Sequence, residues 1–242
     1  MGMPVIVEIN DREATPELFD EVFSYFTYVD EKFSTYKETS EISAINRGEK
    51  RAEAWSEDMK EVFALSEETK RLSGGYFDIV ARDGRYDPSG LVKGWAILNA
   101  ANILRGQGVR NFYVEVAGDI ETNGLNAEGN PWRIGIQNPL KGEREVIKTV
   151  HLKGQGIATS GTQVRGQHIY DPKDRNRPLN DVASITVIGP NIYEADRFAT
   201  AAFAMEGAGI EFIERLEGFE GYQIDRNGNA VMTSGFADYV AN

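Results

Sequence analysis

Asp196 and Thr200, in the run YEADRFATA, stand four residues apart. On a helix that spacing puts a carboxylate and a hydroxyl on one face, a turn apart. Two hard oxygens so placed can share a divalent cation, and a helix start near Asn191 favours anions. The same pair also reads as a first-turn acid complementing the helix dipole beside a packed threonine. Lys93 poses a second question. In DPSGLVKGWA, a tight turn from Asp87 to Gly90 feeds a helix that carries this lysine in its opening turn. A cation there has the wrong sign for the dipole and makes sense if an anion sits at the helix entrance. A solvated lysine is the plainer alternative, and the glycine spacing is not that of a P-loop.

The run GIATSGTQVRGQHIYDP crowds Thr159, Ser160 and Gly161 together and brings His168 just ahead of an Asp-Pro turn. It reads either as strand, turn and strand or as a loop closing on a polar ligand. His168 titrates in the range of a proton carrier; a structural histidine before a turn is the other reading. Tyr36 ends an aromatic-rich helix, where its ring can stack on a planar ligand or sit partly buried with its hydroxyl in water. His151, in the alternating TVHLKG, is a strand residue.

Local patterns name the elements that must position these groups. MPVIVEI alternates as a strand. TPELFDEVFSYFTYVDEKFSTY predicts a helix with Thr15 as N-cap, Pro16 at its first position and an apolar stripe from Leu18 to Val29. SEDMKEVFALSEETKRLSGG and SGLVKGWAILNAANILRGQG predict two more helices, each closed by glycine. NFYVEVAGDIETNG, PWRIGIQNP, EVIKTVHLKGQGIATSG and DVASITVIGP read as strands around turns, and IYEADRFATAAFAMEGAGIEFIERLEG as two helical pieces. YQIDRNGNAVMTSGF predicts a terminal hairpin turning at Asn227-Gly228. Helices and strands mix without strict alternation and without a repeat, so the fold class is α+β with mainly antiparallel sheets, in a single domain over 1–242.

Composition excludes several classes. The chain has no cysteine, so disulfides, thiolate metal sites and a cysteine nucleophile are ruled out, and two histidines make zinc a poor fit. A metal here would be a hard cation on oxygen ligands. A net charge of -12 repels phosphates, which argues against nucleic acid or an anionic membrane as partner. No apolar run approaches the ~20 residues of a membrane span, and no basic stretch followed by an apolar one opens the chain. The expected location is cytoplasmic, although a chain trimmed of an export leader would read the same.

In order along the chain, DEKFSTYKETSEISAIN, GGYFDIV, DPSGLVKGWAI, VEVAGDIETNG, PWRIGIQNP, GIATSG, HIYDP and EADRFATAAF resemble the ApbE family of FAD:protein FMN transferases. The resemblance runs from about Met1 to Phe236 and implies the ApbE-like, T-fold-like architecture. It implies a Mg²⁺-dependent reaction in which FAD is split at its pyrophosphate. FMN passes to a threonine of a partner flavoprotein carrying a flavinylation motif, and AMP is released; some relatives hydrolyse FAD instead. It also implies that Asp196, Thr200 and the carbonyl of Gly90 hold the metal. Met1, Tyr36, Asp87, Lys93 and the backbone near Tyr170 would contact FAD. Thr159 and Ser160 would lie in a close-approach loop beside it, and His168 would carry the proton.

The chain departs from the family pattern at several places. Met1-Gly2-Met3 replaces Met-Gly-Thr, and the short ARDGRY stands where a longer cofactor-lining segment is usual. Ala117 replaces a glycine, Leu98 a helix-capping acid, and Ala199 a third acid of some relatives. The short segment and Met3 motivate an alternative, a flavin- or nucleotide-binding module of the same fold without turnover. No flavinylation acceptor motif occurs in the chain itself, so it reads as the modifier.

Overall fold

The computed structural model describes residues 3–11, 14–141, 145–161 and 169–241. Its centre is a seven-stranded antiparallel sheet in the order β1-β2-β3-β6-β7-β8-β9. The strands are β1 (Val5–Ile9), β2 (Phe112–Val116), β3 (Asp119–Asn123), β6 (Gly156–Gly161), β7 (Val182–Gly189), β8 (Glu220–Asp225) and β9 (Ala230–Met232). Two further strands, β4 (Trp132–Gln137) and β5 (Val146–Leu152), pair as a separate hairpin. The helices are α1 (Pro16–Phe33), α2 (Glu41–Asn46), α3 (Glu57–Leu72), α4 (Ser89–Gly106), α5 (Ile192–Ala204) and α6 (Gly209–Glu214).

Strand alternation divides the core. On β7, which is buried along its whole length, Ile185 and Val187 join the helical core while Ile188 joins a second cluster with Ile136, Val150 and Leu152 from the hairpin. The sheet is therefore covered by helices on one face and by the hairpin and C-terminal segment on the other. α4 and α5 lie against the helical face, and both are buried on most sides.

Most local signals act as read. Ser40, Ser56 and Asn191 each cap a helix by accepting a backbone N–H, from Ser43, Met59 and Glu194 respectively. Thr15 holds the N-cap position without a side-chain capping bond to the backbone, and α1 stops at Phe33, so Tyr36 lies beyond the helix rather than at its end. Thr159, Ser160 and Gly161 do not form a loop. They continue β6, in register with Thr186, Ile185 and Ser184 of β7, and the Thr159 and Thr186 hydroxyls are 2.9 Å apart. The pairing partner is distant in sequence, which is why small residues and glycines read locally as a loop.

Gly94 fixes the closest approach of α4 and α5. A Cβ there would lie 2.7 Å from Asp196 Cβ and 2.8 Å from the Ile192 carbonyl oxygen. Absence of a side chain lets the two helices meet where Lys93 and Asp196 stand.

Candidate functional site

A cavity of about 220 Å³ opens where α4 and α5 meet the ends of β3 and β6. The expected site residues Asp87, Gly90, Lys93, Thr159, Ser160, Tyr170, Asp196 and Thr200 line it, as do Met3, Ala117 and Gly161. Met1 and His168 lie outside the described residues. Tyr36 is 96% exposed in the turn after α1 and does not line the cavity.

Asp196 is buried one turn into α5, so it is not the first-turn acid; Glu194 takes that place. Its Oδ2 accepts the Gly94 N–H at 2.8 Å, while Oδ1 lies 3.7 Å from Lys93 Nζ. One turn further along α5, Thr200 Oγ1 donates to the Gly90 carbonyl at 3.3 Å. Carboxylate, hydroxyl and carbonyl oxygen thus gather on the seam between the two helices. The donors are all oxygen, which suits a hard cation. Among the described residues no group of three or more His, Cys, Asp or Glu forms a metal set. A cation held here would take its other ligands from water or from a bound anion.

Lys93, one turn into α4, pairs with Asp119 Oδ2. Asp119 begins β3 and is buried; its Oδ1 accepts the Thr159 N–H at 3.1 Å. The sequence reading passed over this residue as a site group. Its signal was an acid directly after a turn, in VEVAGDI. Ala117 and Gly118 make that turn with φ of 52° and 91°, so a non-glycine residue occupies the left-handed region where the resemblance expects glycine. Two buried carboxylates thus share one ammonium. Burial drives the Asp196 carboxyl well above the usual carboxylate range; Lys93 opposes this and Asp119 reinforces it.

Glu121, two residues along β3, places α5. Its Oε2 accepts the Ile192 N–H at 2.7 Å, and Oε1 pairs with Arg105 at 2.6 Å. Burial raises its proton affinity above the ordinary value of 4.5, against the pull of Arg105. A carboxyl raised in the folded state contributes stability below 4.5 that is lost as pH rises through its folded value. Glu121→Gln keeps an acceptor for Ile192 and removes the titration. The stability of the variant relative to the parent is expected to rise with pH above 4.5, read from urea midpoints at pH 5 and pH 8.

The wall facing the helices is built from short-range turns. Val80 and Tyr86 bridge, so ARDGRY closes as its own tight hairpin. Asn46 of α2 holds it from both sides, donating to the Tyr86 carbonyl at 2.9 Å and accepting its N–H at 2.8 Å. The Tyr170 hydroxyl donates to the Val80 carbonyl at 3.0 Å, and Arg175 to that of Ala81 at 3.0 Å. Arg177 ties the buried Asp171 (3.7 Å) to Glu206 (2.7 Å), beyond the end of α5. Tyr170, Asp171 and Asn46 are thereby fastened to one wall. Ile134, Ile136 and Ile157 supply an apolar side to the same cavity.

An antiparallel α+β scaffold with an oxygen-lined seam, a half-buried lysine and an apolar flank has the chemistry to hold an anionic ligand bearing a flat or apolar group. The ApbE family model matches residues 1–85 and 81–223, and the chain belongs to the ApbE family. FAD:protein FMN transferase from Escherichia coli K12 is 32% identical over 156 residues, 61% of this chain and 44% of that protein. The protein of the same name from Vibrio cholerae is 38% identical over 128 residues, 49% of this chain and 38% of its own length. The alignments thus span less than half the length of these curated relatives. The solved flavin transferase ApbE from Vibrio cholerae superimposes with a TM-score of 0.85 at 26% identity, covering 99% of this chain and 96% of that one. The apbe protein of Thermotoga maritima, 21% identical, shares the fold with a TM-score of 0.85.

Proposed function

We propose that this chain splits FAD at its pyrophosphate, transfers the FMN group to a threonine hydroxyl of a partner flavoprotein, and releases AMP. The observation that carries this reading is the convergence of Asp196, Thr200, the Gly90 carbonyl and Lys93 in one cavity, within a family whose relatives are named for FMN transfer. Asp196, Thr200 and Gly90 would hold Mg²⁺, which when bound neutralises charge on the phosphoryl oxygens. Lys93 brings a second positive charge to the same oxygens. A chain of net charge -12 needs such local cations to hold a pyrophosphate. The isoalloxazine would lie against the apolar flank of Ile134 and Ile136. His168 takes the acceptor hydroxyl's proton as the new P–O bond forms. The P–O bond to AMP breaks, and AMP leaves with the electron pair.

Incubation of the chain with FAD and Mg²⁺, with and without a peptide bearing a flavinylation motif, tests this directly. AMP formed only with the peptide, together with a flavin-labelled peptide, is the expected result. AMP formed equally without it makes the chain a hydrolase. FAD bound but uncleaved in both mixtures overturns catalysis in favour of a binding module.

A further inference from the structure

Lys93 faces two buried carboxylates at unequal distance. Its ammonium is paired with Asp119, whereas Asp196 Oδ1 stands at 3.7 Å, beyond hydrogen-bond length. Backbone donors pin both acids, Thr159 N–H on Asp119 and Gly94 N–H on Asp196. Asp119 also follows directly on the Ala117–Gly118 turn, which sets where β3 begins and hence how far its carboxylate reaches. An ammonium between two acids moves to the remaining one when either is removed, because a buried charge left unpaired is costly.

We propose that Asp119 is a positioning residue: it holds the Lys93 ammonium off Asp196 and so leaves Asp196 Oδ1 open to a divalent cation. The inference rests on the cation reading given under Proposed function. Charge bookkeeping separates it from direct ligation. With both acids ionised, the state a cation would select, Asp196, Lys93 and Asp119 together present one net negative charge. Asp119→Asn cancels that charge and lets Lys93 close on Asp196. Adding Lys93→Met to Asp119→Asn restores the single negative charge on an unobstructed Asp196.

The test titrates the 242-residue chain with Mn²⁺ alone, without FAD, reading the free ion by electron paramagnetic resonance. Asp119→Asn is expected to weaken Mn²⁺ binding at least about tenfold. The double variant is expected to return to within about threefold of the parent. A double variant as weak as the single one would make Asp119 a ligand and overturn the inference, as would an unaltered single variant. If Asp119→Asn does not fold, parent against double variant still decides, since the double variant buries no unpaired lysine. A parent chain that binds no Mn²⁺ overturns the cation reading itself, a failure visible before any variant is made.

Discussion

Asp196→Asn will lower AMP release from FAD by at least about 100-fold while leaving the fold in place. Asparagine matches aspartate in volume and can still accept the Gly94 N–H that holds the side chain at 2.8 Å. What it removes is a formal charge buried at 3% exposure, on the oxygen facing the cavity. Lys93 keeps Asp119 as its partner, so no ammonium is left stranded. Burial already disfavours the ionised form of Asp196, so the variant is expected to unfold at a urea midpoint close to the parent's. The measurement is AMP by chromatography beside a urea melt of the same preparation. Undiminished AMP release from a folded variant would remove Asp196 from the reaction.

Gly156→Ala will destabilise the chain by more than about 3 kcal/mol, at the upper end of what overpacking costs. A Cβ at Gly156 would stand 2.0 Å from the Ile192 backbone nitrogen and 2.3 Å from the Asn191 carbonyl carbon. Both are backbone atoms at the start of α5, so no side-chain rotation relieves the clash. The Ile192 N–H is also the donor to Glu121, and shifting it breaks the bond that seats α5 on β3. Gly154→Ala is the matched control, two residues earlier with nothing within 4 Å of its Cβ, and is expected to stay within about 0.5 kcal/mol. Equal urea midpoints for the two variants would show that β6 and α5 do not meet as closely as described.

The proline opening α1, the glycines closing α3 and the Asn227-Gly228 turn were all legible, because each acts within a few residues of backbone. The pair Asp196 and Thr200 was legible for the same reason: helix geometry puts i and i+4 on one face. Asp119, Glu121 and Glu206 were not. Each is an acid whose partners lie on other elements, and a turn before Asp119 is the sole local mark among the three. The run from Thr159 to Gly161 misled in the opposite direction, since small polar residues mark a loop unless a partner strand such as β7 covers them.

The sequence by itself therefore determined the α+β class, the element order and the acid–hydroxyl pair that faces the cavity. Each rests on periodicity and capping chemistry confined to short windows. Tertiary structure alone decided that Lys93 meets Asp119 more closely than Asp196, and that Tyr36 does not line the cavity. The reason is physical. The Gly94–Asp196 bond closes a gap of 102 residues, and Lys93 meets Asp119 only because α4 packs against the start of β3.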